Sequence, residues 1–400
     1  MKILLIWPKS NSDIENRQAL FPITEPLALE YLASVGLEKG HEVEILDLRI
    51  YPDSLLDTVQ RFQPDIVGIT AYSMHVVNAI ETSKIVNKLC SEAIVIIGGH
   101  HATIHPEDFF VNSFNYIVVG EGVKPFSELI DSILKVTKKQ LLFNNVWSKI
   151  GKEFVYGDFG SKTSLDKLPH PNRTLTKKDR HRYYIDWMQP VALLRTSLGC
   201  PYRCTFCSLW KIEDGYYHVR NADSVVEELK EIKEPYVFLI DDEAFINRKR
   251  MIELASKIKQ SKINKKYFAY CRIDTLIKND EALRAWKEIG LERIFVGIDS
   301  VSPKGLDLYN KKYNVASIEN GLNLANEIGL KVFSQFVVDT DWEHKDFLQL
   351  SRFIKRNDIE YPSFTVLTPL PGTDLLPDFS KITELQENGR PDWSLFDTDH

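Results

Sequence analysis

Several features that mark particular classes of protein are scarce or absent in this chain of 400 residues. It has five cysteines and four methionines, far too few cysteines for a disulfide-stapled secreted domain. No apolar run reaches the roughly 18 residues that a transmembrane helix needs. The apolar stretch at the N-terminus, KILLIW, is shorter than the core of a signal peptide. The sequence therefore predicts a cytoplasmic protein without a membrane span.

An excess of positive charge is also lacking. The 50 lysines and arginines are outnumbered by 56 aspartates and glutamates, which gives a net charge of −6. Proteins that bind nucleic acid neutralise its phosphates with a basic surface, so no nucleic-acid partner is predicted. The composition, 44% hydrophobic and 26% charged, is ordinary for a folded protein. The length favours two or three domains, because a single core rarely grows past roughly 250–300 residues.

Three of the five cysteines lie in one short segment, RTSLGCPYRCTFCSLW, directly after the apolar run VALLR. Cys200, Cys204 and Cys207 form a C-x3-C-x2-C pattern, whereas Cys90 and Cys271 are isolated in apolar segments and are interpreted as buried small residues. In a reducing compartment such a group indicates a metal site rather than disulfides. Structural zinc and iron–sulfur cubes usually take four protein ligands. Three thiolates therefore predict a cluster with one iron open to a substrate; zinc and a sensor cluster are the alternatives.

The first third of the chain alternates buried strands with amphipathic helices. Apolar runs at 2–7, 41–48, 65–70, 93–99 and 116–122 are separated by segments with helical spacing, such as 26–40 and 76–93. This alternation predicts a doubly wound parallel sheet over residues 1–135, with its ligand at the carboxyl ends of the strands. Those ends carry TAYSMH, GGHHAT and GEG. No G-x-G-x-x-G follows the first strand, which argues against a plain dinucleotide domain.

The remainder divides into a connector, a second alternating region and a tail. Residues 136–190 are rich in Lys, Asp, Asn and Pro and predict a connector with one hairpin, whereas 191–370 again alternate strands and helices. The strands of that region end in polar residues, and in a parallel barrel the carboxyl ends form the active-site face. We expect 371–400 to be the start of a C-terminal extension, and the sequence leaves open whether it is truncated.

The cysteine loop resembles that of the radical S-adenosylmethionine (SAM) enzymes, whose pattern is C-x3-C-x-aromatic-C. The resemblance implies a [4Fe-4S] cluster on Cys200, Cys204 and Cys207, with SAM on the open iron. Asp241-Asp242-Glu243 takes the place of the family's G-G-E-like motif, with aspartates where glycines are usual. The segment DTDW at 339–342 replaces a usual Gly-Pro turn, which leaves the adenine contact of that strand open. The implied SAM-binding residues are Phe206, Asp241, Asp242, Glu243, Arg272, Asp274, Asp299 and Ser300.

The N-terminal region resembles the cobalamin-binding domain of a branch of the same enzymes. The similarity is carried by FPITEPLALEYLASVGLEKGHEVEILD, PDIVGITAYS, IIGGHHATIHPED and YIVVGEG. The D-x-H-x-x-G motif that supplies a cobalt-binding histidine elsewhere is absent. The resemblance therefore implies a lower cobalt face without protein histidine, and His75 stays open as an alternative ligand. The implied cobalamin-binding residues are Thr70, Ser73, Met74, His75, Gly98, Gly99, His101, Gly120 and Glu121.

Together these resemblances imply an α/β protein in which a flavodoxin- or Rossmann-like cobalamin-binding sheet precedes a partial (β/α)6 radical SAM barrel. The implied activity is C-methylation of an unactivated carbon through a 5′-deoxyadenosyl radical and methylcobalamin. The implied partners are a small-molecule or lipid substrate and an electron donor such as flavodoxin or ferredoxin. The segments VVDTDWEHKDF and FTVLTPLPGTDLL resemble the hopanoid C-3 methylase subgroup more weakly. Two alternatives remain: rearrangement or cyclisation without methyl transfer, and a cobalamin- or redox-sensing module.

Overall fold

The computed structural model describes residues 1–9, 22–134, 142–160, 164–376, 382–386 and 389–396. They form two compact units. The first comprises the chain up to Arg180 together with the C-terminal residues 382–396, and the second runs from His181 to 376. No helix among these residues is both long and apolar enough to cross a membrane.

The first unit is built on a seven-stranded sheet with the order β2-β1-β3-β4-β5-β6-β7. Its first five strands are parallel, and their order is that of flavodoxin-like folds. They read as continuous apolar runs because helices cover both faces; Ile3, Leu4 and Leu5 are fully buried. The parallel strands are β1 Lys2–Trp7, β2 Glu42–Asp47, β3 Ile66–Thr70, β4 Ile94–Gly98 and β5 Tyr116–Val118.

The helices of this unit follow the predicted alternation. Gly40 adopts a φ of +77° just after the first helix, a left-handed conformation that ends a helix most easily at glycine. The helices are α1 Leu27–Glu38, α2 Leu55–Phe62, α3 Val76–Leu89, α4 His100–Ile104 and α5 Val123–Leu134. Short 3₁₀ turns lie at Ser73–His75, Pro106–Phe109, Leu165–Lys167 and Trp393–Leu395.

Residues 142–180 of the predicted connector belong to the first unit. The predicted hairpin is present as β6 Val146–Ile150 and β7 Glu153–Tyr156, which extend the sheet antiparallel. The stretch that follows is held to α1 and the segment just before it by buried ion pairs of Arg173 and Arg180 with Glu25 and of Arg180 with Glu30. These contacts make the stretch part of a core, which charge and proline content alone do not reveal.

The second unit contains a six-stranded parallel sheet with the order β15-β14-β13-β12-β11-β8. Each strand pairs with the strand of this sheet that comes next along the chain. The sheet therefore winds in one direction, as a partial barrel does, which confirms the predicted fold class. Its strands are β8 Val191–Leu194, β11 Tyr236–Leu239, β12 Lys266–Tyr270, β13 Leu291–Asp299, β14 Lys331–Val338 and β15 Tyr361–Val366. A small antiparallel pair, β9 Ser197–Leu198 and β10 His218–Val219, lies beside the cysteine loop in sequence.

Helices alternate with these strands and bury one apolar side against the sheet. Trp286 is fully buried in that core, and its indole N–H donates to the carbonyl of Met251. The helices are α6 Leu209–Ile212, α7 Ala222–Glu231, α8 Arg248–Gln260, α9 Ile273–Lys278, α10 Asp280–Glu288, α11 Pro303–Leu308, α12 Val315–Ile328 and α13 His344–Arg356. Their packing leaves the carboxyl ends of the strands to the loops that carry the predicted SAM-binding residues.

Candidate functional site

The cysteine loop of the second unit joins β9 to α6. Gly199 adopts a φ of +88°, and a Cβ at this position would collide with the carbonyl of Tyr216. Only glycine therefore allows the loop to turn where it does. Cys204 is buried, and Cys200 and Cys207 are partly buried.

The three thiols suit a cluster better than a single ion. Among the described residues, three or more His, Cys, Asp or Glu ligand atoms lie within 4.8 Å of one another only at His101, His105 and Asp108. At least one pair of the three cysteine sulfurs therefore lies farther apart than the roughly 4.6 Å that two Zn–S bonds of about 2.3 Å can span. Burial raises the pKa of Cys200 to about 12 and that of Cys207 to about 11, so their thiolates need a cationic group such as iron to persist.

The acidic segment after β11 contains carboxylates with two different roles. Asp241 is fully buried and accepts hydrogen bonds from the backbone N–H groups of Thr196 (2.6 Å) and Ser197 (2.8 Å). Asp242 accepts from the N–H of Gly199 at 2.7 Å. Both aspartates thus brace the chain that leads into the cysteine loop, which explains why aspartates can stand where glycines were expected.

Glu243 is the carboxylate of this segment that is available to a ligand. Its Oε2 accepts from the backbone N–H of Arg272 at 2.7 Å, whereas its Oε1 is buried without a hydrogen-bond donor. Burial raises the pKa of Glu243 to about 8. A buried carboxylate oxygen without a donor is the group that a ligand ammonium would satisfy, so the site fits the amino group of SAM.

Arg272 and Asp274 lie beyond the end of β12 rather than within it, at the start of α9. The guanidinium pairs with the carboxylate of Asp274 (2.9 Å), donates to Cys204 Sγ (3.4 Å) and lies 3.7 Å from the ring centroid of Tyr202. Asp274 raises the pKa of Arg272 against the opposing effect of burial. The arginine therefore places a fixed positive charge beside a cysteine of the loop.

Asp299 and Ser300 stand at the end of β13. Asp299 has a φ of +63°, and its carboxylate pairs with the buried ammonium of Lys311, a residue that sequence reasoning missed. The ammonium of Lys311 also lies 5.4 Å from the centroid of Phe206, the aromatic residue of the cysteine loop. Lys311 follows α11 in a short loop, where no periodic or motif signal identified it. Ser300 is buried, and its Oγ accepts from the N–H of Ser302 at 3.2 Å.

The predicted cobalamin-binding residues of the first unit gather at the carboxyl edge of its sheet. Thr70 and Gly98 are register partners on β3 and β4. Gly99 has a φ of +100°, and a Cβ there would lie 2.6 Å from Thr70 Oγ1 and 2.9 Å from the nitrogen of Ala71. A Cβ at Gly98 would make only ordinary contacts with Val118. Gly99 is therefore the glycine on which the close approach of these loops depends.

The loops after β3 and β5 complete this edge. Ser73, Met74 and His75 form a 3₁₀ turn in which Nδ1 of the buried His75 accepts from the N–H of Tyr72 at 3.2 Å. Glu121 caps α5 by accepting from the N–H of Val123 at 2.7 Å. Gly120, with a φ of +79°, has no atom within 4 Å of where a Cβ would stand. This open space beside exposed backbone suits the approach of a large ligand.

His101 has partners that sequence reasoning did not identify. It is fully buried; its Nδ1 lies 3.0 Å from Ser73 Oγ and its Nε2 lies 2.8 Å from Asp108 Oδ2. The indole N–H of Trp393, from the C-terminal segment, also donates to Asp108. Asp108 follows in the quoted segment HPED, but nearly 300 positions separate it from Trp393 (|i−j| = 285), a pairing that no local pattern predicts.

Comparisons with known proteins match a domain family to each of the two regions of the chain. The radical SAM superfamily model matches residues 194–354, and the B12-binding domain model matches residues 19–130. The hopanoid C-3 methylase of Methylococcus capsulatus is 28% identical over 94% of this chain and 72% of that protein. An uncharacterised methyltransferase of Pyrococcus horikoshii is 30% identical over 94% of this chain and 82% of its own length.

A solved structure shows the same fold. The cobalamin-dependent SAM radical enzyme OxsB, with aqua-cobalamin bound, aligns at a TM-score of 0.80 and 18% identity. The alignment covers 99% of this chain and 63% of OxsB, so the chain spans less than two thirds of that enzyme. These matches confirm the predicted family: the chain belongs to the cobalamin-dependent radical SAM enzymes, whose cofactors are a [4Fe-4S] cluster, SAM and cobalamin.

Proposed function

We propose that this protein transfers a methyl group to an unactivated carbon of a small molecule or lipid. The observation that carries the proposal is that one chain holds a three-thiol loop with a buried carboxylate oxygen that lacks a hydrogen-bond donor and, in its other unit, a glycine-edged sheet. When bound, SAM and the cluster supply a 5′-deoxyadenosyl radical that removes hydrogen from carbon, and cobalamin supplies a methyl group. Relatives named as methyltransferases support methyl transfer over the alternative chemistries.

The protein's own groups bind and orient the reagents in this proposal. Cys200, Cys204 and Cys207 hold the cluster, and Glu243 receives the ammonium group of SAM. Arg272 offers a cation for the SAM carboxylate and donates a hydrogen bond to Cys204 Sγ. The remaining assigned SAM contacts are Phe206, Asp274, Asp299 and Ser300, whereas Asp241 and Asp242 act indirectly by fixing the loop.

In the first unit we assign cobalamin contact to the loops at the carboxyl edge of the sheet. Backbone at Gly98, Gly99 and Gly120 allows close approach. Thr70, Ser73, Met74, His101 and Glu121 surround that backbone. His75 is buried, and its Nδ1 accepts from the N–H of Tyr72, which leaves the ring proton on Nε2; we therefore propose that it contacts the cofactor without ligating cobalt.

The substrate class follows from the relatives more than from the site. The 28% identity to a hopanoid C-3 methylase favours a polycyclic lipid as the methyl acceptor. The cluster requires an external electron, so a flavodoxin or ferredoxin is the proposed donor. A cluster with an open iron is most stable in a reducing compartment, which supports a cytoplasmic location for the protein. The net charge of −6 supports the absence of a nucleic-acid partner.

The test is a methyl-labelling experiment with an unfractionated acceptor. The protein, reconstituted without oxygen, is given a reductant, SAM with a trideuterated methyl group and a lipid extract of the source organism. We expect a lipid that gains one trideuterated methyl group, and no such product from the Cys204→Ala variant. A lipid that changes structure without the label would establish rearrangement or cyclisation instead. Cobalamin binding without any SAM cleavage would favour a sensing module.

A further inference from the structure

A chain of hydrogen bonds links the C-terminal segment of the first unit to the loop after β3. The Trp393 N–H donates to Asp108 Oδ2, Asp108 Oδ2 contacts His101 Nε2 at 2.8 Å, and His101 Nδ1 contacts Ser73 Oγ at 3.0 Å. Trp393 also packs its ring 5.3 Å from that of His101, and Arg390 donates to the carbonyl of Asp108 at 3.1 Å. The C-terminal segment therefore contacts both ends of the Asp108–His101 pair.

The chemistry of the partners fixes the direction of each hydrogen bond. An ionised carboxylate only accepts, so Nε2 of His101 carries the proton that it donates to Asp108. Burial lowers the pKa of His101, which keeps the ring neutral. Hydrogen bonds from His101 and His105 outweigh burial and lower the pKa of Asp108, which keeps it ionised. Nδ1 of the neutral ring is then an acceptor, and the hydroxyl proton of Ser73 points to it.

A metal ion is the competing explanation for this cluster. His101, His105 and Asp108 could supply three ligand atoms within 4.8 Å of one another. However, Oδ2 of Asp108 already accepts hydrogen bonds from the indole N–H of Trp393 and from His101 Nε2 at 2.8 Å, and His105 Nδ1 lies 3.1 Å from the same oxygen. These are hydrogen-bond distances, and the indole N–H is a donor that cannot ligate a metal. The protein itself therefore satisfies Asp108 Oδ2 as a hydrogen-bond acceptor.

We propose that Asp108 and Trp393 are positioning residues that hold His101 as the Nε2–H tautomer, so that Ser73 presents an oxygen that can only accept a hydrogen bond from cobalamin. The proposal rests on the cobalamin site assigned above. The cobalamin group that Ser73 contacts is then an N–H donor, such as a side-chain amide of the corrin ring. A nitrogen that would have to accept a hydrogen bond from Ser73 does not fit.

The first experiment measures the affinity of the full-length protein for hydroxocobalamin. Loss of a buried hydrogen bond of this kind is worth on the order of tenfold in affinity. We expect Ser73→Ala and Asp108→Asn to bind about tenfold more weakly, and Ser73→Thr, which keeps the hydroxyl, to recover most of the affinity. Trp393→Phe removes only the indole N–H and should weaken binding by a smaller factor. Trp147→Phe is the matched control, because this tryptophan lies on β6 of the same unit among Phe110 and Tyr156.

The second experiment reads the tautomer directly. NMR of the full-length, cofactor-free protein with ¹⁵N-labelled histidine should show the Nε2–H form for the resonance that disappears in His101→Gln. Asp108→Asn should shift that resonance toward a mixture of tautomers, and Trp147→Phe should leave it unchanged. An Nδ1–H form in the wild type, or wild-type affinity in both Ser73→Ala and Asp108→Asn, would overturn the proposal.

The outcomes separate this proposal from the proposed function. Failure of the wild type to bind hydroxocobalamin would refute the cobalamin site itself, whereas the tautomer measurement stands without any cofactor. Stoichiometric binding of Zn²⁺ that is abolished by His105→Gln would show a metal site and would overturn the hydrogen-bonded network.

Discussion

The three neighbouring carboxylates at the end of β11, Asp241, Asp242 and Glu243, take different roles although their side chains are of the same chemical type. Asp241 and Asp242 each accept backbone N–H groups of the cysteine loop, which satisfies them within the protein. Glu243 leaves one buried oxygen without a donor. Such an oxygen costs stability in the empty protein and gains a partner when a cation binds.

This difference predicts the effect of Glu243→Gln on stability. Folding raises the pKa of Glu243 from an ordinary 4.5 to about 8, so the folded state holds a proton that the unfolded state releases between those values. Stability of the wild type then falls as pH rises through this window, by up to about 1.4 kcal/mol per pH unit. Glutamine cannot ionise, so the variant should gain on the wild type from pH 5 to pH 8. Urea titrations of the cofactor-free proteins at these pH values measure the difference.

The same variant should bind SAM more weakly. A hydrogen bond to a charged partner contributes about 1.5–3 kcal/mol, so a loss of roughly tenfold to a hundredfold is expected. Equilibrium binding of SAM to the cluster-loaded proteins gives this ratio. Equal affinities would remove Glu243 from the SAM site, whereas a stability difference that does not change with pH would contradict its raised pKa.

At the scale of elements, the turn between β9 and α6 decides whether the cysteines can meet one cluster. Gly199→Ala should disrupt this turn, because its Cβ would collide with the Tyr216 carbonyl in addition to the strain of a positive φ. Gly151→Ala is the matched control: its φ is +65°, but nothing lies within 4 Å of the added Cβ. We expect the Gly199 variant to lose most of its reconstituted iron and the Gly151 variant to keep it. Iron content per protein after anaerobic reconstitution is the measurement, and equal content in the two variants would count against the account.

The elements also show which parts of the structure can be derived from sequence. The strands of both sheets are predicted within a few residues because two buried faces require unbroken apolar runs such as Ile3 to Ile6. The packing of residues 164–180 on α1 cannot be predicted in this way, because it depends on arginines that bind Glu25 and Glu30, about 150 positions away in the sequence. Among the site residues, the cysteines can be recognised from their motif, whereas Lys311 and Trp393 are identified only by contacts with Phe206 and Asp108, which are distant in sequence.

At the scale of the whole molecule, each unit has its own hydrophobic core and holds the residues proposed for one cofactor site. Removal of the cluster should therefore leave cobalamin binding intact. We expect Cys200→Ala to lose the cluster and SAM cleavage while it binds hydroxocobalamin with wild-type affinity. Ser73→Ala should show the opposite pattern, with weaker cobalamin binding and full iron content. Loss of both cofactors in either variant would contradict independent sites.

The central claim is that both cofactors act in this one chain, and the most direct measurement follows the methyl group of SAM without requiring a known acceptor. The reconstituted protein is incubated anaerobically with a reductant, cobalamin and SAM carrying a ¹³C-labelled methyl group, and the products are separated. Both 5′-deoxyadenosine and S-adenosylhomocysteine are expected, with the label on bound cobalamin. A variant without the cluster site should form no 5′-deoxyadenosine, and a variant without the cobalamin site should show no transfer of the label. Formation of 5′-deoxyadenosine without S-adenosylhomocysteine or labelled cobalamin would contradict methyl transfer, and absence of all three products would contradict the enzyme.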